Sequence, residues 1–269
     1  MIAFSEQGHR YFGIADYNKD VKWTSATDFV EAFSHPFDKL GTATKVCLKK
    51  GSKWYGIAPN EIVRIWDAEA KRSTDMGTLY HNHMEAQYLS KPTMTLFGKE
   101  LPVYAPMYNT RGEKVSFNQL LYDGAFPEYL FYHQVREKRG LCGQSDFVAF
   151  VTNKAYISDH KTVKELKREN PWAKMKYPFD DMDDCNWNHY VVQLNLYMWI
   201  ALRNNPGAVP GEMVLRHVEF ELDGVDKWGF PLVRIQNNLP VVKRVTKHPV
   251  PYLGDQMDAG VLEWLGNVI

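Results

Sequence analysis

Apolar positions along this chain recur with two different periods, and the changes of period divide it into elements. Phe29, Val30 and Phe33 follow Thr24-Ser25-Ala26-Thr27-Asp28. That order predicts a short helix capped by Ser25, with Ser25 and Asp28 at capping-box spacing and a stop near His35-Pro36. Residues 61–70 and then 78–89 again carry apolar side chains at steps of three and four, which places His81 on a helix. From Tyr129 the texture becomes aromatic and β-branched. Residues 129–135, 146–151 and 155–161 read as strands joined by a basic turn at 136–140 and a tight turn at 152–154, an antiparallel meander. A polar, irregular stretch over 164–188 leads to an apolar helix at 190–202. Two more strands, 213–222 and 231–236, precede a last amphipathic helix at 255–265. Residues 1–75 read as a helical cap and lead-in rather than a separate domain.

Composition narrows the class without naming a function. At 269 residues, with 45% hydrophobic and 24% charged residues, the chain can bury the core of one embellished globular domain. It has no apolar run of membrane-spanning length, and its start lacks a basic stretch followed by an apolar one, so a soluble cytoplasmic protein with no membrane partner is expected. Cys47, Cys142 and Cys185 are scattered and odd in number, which favours idle thiols. A structural zinc or an iron–sulfur cluster normally takes four ligands, and neither is expected here. With 32 basic against 32 acidic residues, charge has to be read locally.

Locally, the meander carries chemistry. A tight turn near Asn153 would bring Asp146, at the start of one strand, beside Asp159, near the end of the next. Two carboxylates so placed are hard oxygen ligands for magnesium or manganese, the ions that assist phosphodiester hydrolysis. Asp159 and Lys161 are two apart on one strand and share a face. Lys161 is then available to orient a water, to take its proton, or to offset developing negative charge, and the sequence does not choose among these. The backbone carbonyl of His160 offers a further ligand, and His81 a nitrogen ligand from the helix. Gln193 and Tyr197, four apart, share one helical face. Lys164, Lys167, Arg168, Lys174 and Lys176, interleaved with Trp172, Tyr177 and Phe179, suit single-stranded nucleic acid; the alternative is a solvated loop whose aromatics pack onto the body. His81-Asn82-His83 and Asp180-Asp181-Met182-Asp183-Asp184 lack the spacing of the nuclease and calcium motifs they superficially suggest.

Gly77…His81…Glu85, Gly143…Asp146, Asp159…Lys161 and Gln193…Tyr197, in that order, resemble the PD-(D/E)xK nuclease superfamily, and within it the RecB-like exonucleases of recombination, CRISPR adaptation, mitochondrial genome maintenance and phages. The resemblance spans roughly residues 24 to 265. It implies a restriction-endonuclease-like α/β core, a central mixed sheet flanked by helices, occupying 76–269 behind the helical N-terminal cap. It also implies that His81, Asp146 and Asp159 bind the metal, that Lys161 is the catalytic lysine, and that Gln193 and Tyr197 contact the DNA backbone or brace the site. Glu128 matches an acidic position of many relatives, as a metal-shell carboxylate or a strand-edge charge. The implied activity is a magnesium- or manganese-dependent DNA exonuclease leaving 5′-phosphates, acting on DNA ends or single strands in repair, recombination or phage DNA processing, with a recombination or single-strand-binding protein as partner. A structure-specific endonuclease and a non-cleaving nucleic-acid-binding scaffold are the alternatives on the same core.

Overall fold

Three strands precede any helix. In a computed structural model that describes residues 1–267, β1 (Ile2–Ser5), β2 (Arg10–Gly13) and β3 (Lys22–Ser25) come before α1 (Ala26–Phe33), α2 (Lys39–Leu48) and α3 (Pro59–Leu89). The lead-in predicted to be helical is therefore helical only from Ala26 onward. Its strands are only four residues long, and while β2 pairs with its neighbour β1, the lead-in is held by partners distant in sequence. β1 pairs with β7 (Lys114–Ser116), after the short strands β4 (Thr93–Leu96), β5 (Lys99–Pro102) and β6 (Met107–Tyr108). Ile2 and Phe4 pack on Leu130 and Cys142, so this small sheet is fixed to the body through an apolar cluster of its own.

The predicted meander forms, with longer strands: β8 (Gly124–Arg136), β9 (Arg139–Val151) and β10 (Lys154–Lys161). Thr152 and Asn153, both at positive φ, make the tight turn between β9 and β10. Then come α4 (Asn186–Asn204), β11 (Val209–Phe220), the short β12 (Leu222–Val225), β13 (Pro231–Val233), β14 (Ile235–Gln236) and β15 (Leu239–Pro240), β16 (Val242–Val250), and α5 (Gly254–Asn267). β16 has no counterpart among the predicted elements. Lys243, Arg244, Lys247 and Pro249 interrupt its apolar pattern, a composition tolerated because β16 is an edge strand. The two predicted segments of α3 are one helix of 31 residues: the polar middle stays helical as a solvated stretch, with Lys71 paired to Asp75 at 2.7 Å.

The central sheet runs β16-β11-β10-β9-β3, with β8 on the other edge of β9. β10 is parallel to β11 and β3 to β9, while the rest pair antiparallel, giving a mixed sheet flanked by helices. α4, whose inner side chains include Leu194 and Met198, covers one face together with α1 and α5, in a core with Phe29, Phe131, Val148 and Ile157. Tyr88 of α3 packs on the opposite face against Phe147 and Tyr156. Along β9, β3 pairs as far as Cys142 and β10 begins at Phe147. Gly143 to Asp146 face the opening between them.

Candidate metal centre

Asp146 stands where β10 separates from β9, one position beyond the last ladder pair, Ser158↔Phe147. Its Oδ2 accepts the backbone N–H of His160, a bond that extends the ladder through a side chain. Its Oδ1 is 2.9 Å from Nδ1 of His81, which α3 carries across the opening. Burial works against a charge on Asp146, but hydrogen bonds from His160 and His81 outweigh it and hold the carboxyl well below the usual carboxylate range.

Glu128 lies opposite Asp146 in the β8–β9 register, between Pro127↔Phe147 and Tyr129↔Ser145. Its φ is +52°, a left-handed conformation rare outside glycine that interrupts the ladder at this point. One oxygen of each of Glu128 and Asp146 and one nitrogen of His81 lie within 4.8 Å of one another. Two carboxylates facing each other across strands repel, and burial together with the charge of Asp146 pushes the Glu128 carboxyl up to about 7. Lys114, on β7 and only 5% exposed, places Nζ 3.3 Å from Glu128 and 4.0 Å from Glu85. Gln144 also donates to Glu128. Neither Lys114 nor Gln144 was singled out by sequence, and for Lys114 no local signal exists, because it sits in a strand of the separate small sheet.

Alternation along β10 sends Asp159 and Lys161 toward α4, with Ala155 and Ile157, and sends His160 the other way against Tyr80 and Tyr88. Lys161 Nζ is 2.6 Å from Asp159 Oδ2, donates to Gln193 Oε1 at 3.0 Å, and lies 4.7 Å from the centre of the Tyr190 ring. Burial alone would lower the Lys161 ammonium, but the charge and hydrogen bond of Asp159, with the Asp146 charge behind them, together outweigh it and keep the group cationic. Burial and then the Asp146 charge raise Asp159. Glu85, Glu128, Asp146 and Asp159 thus outnumber Lys114 and Lys161, and the buried site is short of positive charge. An imidazole nitrogen with carboxylate oxygens, one of them a buried Asp159 oxygen without a well-directed hydrogen bond, is a donor set that fits a hard divalent cation.

The four sequence pieces interlock. A Cβ on Gly77 would stand 2.8 Å from Thr162 Oγ1, and one on Gly143 would stand 2.5 Å from the Tyr197 ring. Tyr197 is 2% exposed, stacks on Phe131 and accepts from Gln193 at 2.9 Å. It braces Gln193 and is too buried to touch DNA, which corrects the direct contact considered for it. The His160 ring packs on Tyr80 and Tyr88 with Nδ1 3.4 Å from Asp146 Oδ2, so it borders the His81, Glu128 and Asp146 group without being one of its three members.

The basic stretch divides. Lys164 and Lys167 are exposed and Trp172 is 92% exposed. The Arg168 guanidinium instead lies 3.8 Å from the Trp187 ring centre and bonds His248, while Lys174 pairs with Asp183. Phe179 is part of the core, not a surface platform.

No family model matches the chain, and no curated protein does either. Among solved structures, the crystal structure of SSO0001 aligns over 94% of this chain and 76% of that one, with 12% identity and a TM-score of 0.35, a likeness too slight to carry an argument about fold or function.

Proposed function

We propose that the chain is a magnesium- or manganese-dependent deoxyribonuclease, acting as an exonuclease on DNA ends or single strands. The observation that carries this reading is the convergence of His81, Glu128 and Asp146 within 4.8 Å, beside a buried Asp159–Lys161 pair. His81, Glu128 and Asp146 would hold the cation, with Asp159 at its margin; when bound, the cation would neutralise phosphate charge and activate water. Lys161, kept cationic by Asp159, serves to orient the reacting groups or to offset negative charge rather than to accept a proton. Gln193 fixes the Lys161 ammonium, and Tyr197 in turn fixes Gln193. Exposed Lys164, Lys167 and Trp172 supply phosphate contacts and a stacking surface along the exit from β10.

The test is digestion of end-labelled single-stranded, double-stranded and closed circular DNA with Mg²⁺, Mn²⁺ or EDTA. Metal-dependent shortening of ended substrates, abolished by Asp159→Ala and Lys161→Ala, is expected. Cleavage that survives EDTA or both substitutions would refute the mechanism, and cutting of closed circles would replace the exonuclease reading with an endonuclease on the same centre.

A further inference from the structure

Behind His160, on the sheet face opposite Asp159, lies a cavity of about 450 Å³ between α3 and the β11–β16 ladder. Tyr80, Tyr88, His160, Arg216 and Lys247 contribute to its walls, and no aspartate or glutamate does. Arg216 and Lys247 are direct cross-strand partners. Like charges facing each other across an antiparallel pair destabilise a sheet, and natural pairs at such positions usually carry opposite signs. Here neither cation has a carboxylate partner among the described residues. Arg216 is nonetheless held in place, its Nε donating to Ser158 Oγ at 2.6 Å, which leaves its outer nitrogens for another acceptor.

A second, independent feature points into the same space. Tyr80 and Tyr88 both line it, and the hydroxyl of neither has a hydrogen-bond partner among the described residues. These two free donors, beside two uncompensated cations, describe a receptor for an anion with several oxygens. The volume exceeds what a bare oxyanion fills, and Tyr88, Val242 and Val245 supply apolar surface for an organic group.

We propose that this cavity binds the phosphate of a nucleotide, with Arg216 and Lys247 balancing its charge and the Tyr80 and Tyr88 hydroxyls donating to its oxygens. The phosphate can belong to a free mononucleotide or to a nucleic-acid strand. The inference needs binding only and stands apart from cleavage at Asp146.

The experiment is titration in EDTA, so that no turnover occurs, with three probes: inorganic pyrophosphate, dTMP, and a fluorescent twelve-residue oligothymidylate. Lys247→Glu is the main variant. It replaces an exposed side chain and turns the like-charge pair into an opposite-charge pair, so its thermal midpoint should equal or exceed that of the parent chain. At least one probe should bind the parent chain and lose tenfold or more in affinity in Lys247→Glu, with a loss of several-fold in Tyr80→Phe. Lys50→Glu, at an exposed turn, controls for net charge. Loss for dTMP identifies a mononucleotide pocket; loss for the oligonucleotide alone identifies a station for the strand. Affinities in Lys247→Glu within twofold of those in Lys50→Glu, or no binding of any probe to the parent chain, would overturn the proposal.

Discussion

The two sides of His160 carry like-charge pairs of opposite sign. On one side Glu128 faces Asp146 across β8 and β9; on the other Arg216 faces Lys247 across β11 and β16. In the acidic pair Glu128 is buried and Asp146 half-buried, and built-in partners trim both: Lys114 and Gln144 reach Glu128, and His81 and the His160 N–H reach Asp146. The basic pair borders an open cavity and keeps one fixed contact, Arg216 to Ser158. Depth explains the difference. A buried carboxylate left without partners would take up a proton, so an acidic pair at this depth needs a supporting shell, whereas cations at a cavity mouth can rely on water.

The largest effect should come from emptying the acidic side. Asp146→Ala removes the oxygen that links His81 to the β10 backbone, and the rate of DNA shortening should fall by ~10³-fold. Mn²⁺ binding followed by calorimetry should vanish with it, and retained Mn²⁺ affinity would show that the cation sits elsewhere. Next, Lys114→Met leaves Glu128 without its ammonium; the carboxyl answers by taking up a proton, which limits the loss of the metal-free protein in urea denaturation to about 3 kcal/mol. Because a bound cation would supply the missing positive charge, Mn²⁺ should raise the midpoint of this variant more than that of the parent chain. Equal increments would mean that Glu128 does not face the metal.

A smaller loss is expected where packing, not charge, sets the acidic side. Gly143→Ala places a methyl group against the Tyr197 ring and should cost about 1–3 kcal/mol, with a weaker Mn²⁺ affinity if Tyr197 and Gln193 transmit the shift to Lys161.

The mildest test uses a carboxylate that has all its partners. Asp184 accepts the His35 N–H at 2.7 Å and His189 Nε2 at 2.6 Å. Burial opposes its charge, but these bonds hold it below the usual range. A depressed folded value adds stability that is complete above the unfolded value near ~4 and is lost as pH falls through the folded one. Asp184→Asn should therefore cost about 1 kcal/mol at pH 7, and the difference from the parent chain should shrink below pH 4. A difference independent of pH would show that the charge contributes nothing there.

Much of this centre is legible in the sequence because its parts are local. Ser25 caps α1 through the Asp28 N–H, the Thr152–Asn153 turn pairs β9 with β10, and two-residue alternation sets Asp159 and Lys161 on one face. Helical spacing likewise brings Gln193 to Tyr197. What escaped depends on long-range pairing. The left-handed turn of Glu128 has no residue signature, Lys114 arrives from another sheet, and β16 looks too charged for a strand until it is placed at an edge.

By itself, then, the chain's pattern of residues determined the α/β alternation, the meander, and the shared face of Asp159 and Lys161, because turns, caps and periodicities act over a few residues. Only the tertiary structure decided that Tyr197 is a buried brace, that Glu128 rather than Asp159 joins His81 and Asp146 in the tightest group, and that two cations face each other behind His160. Those outcomes depend on register between strands far apart in the chain, and register is set by the packed core as a whole rather than by any one segment.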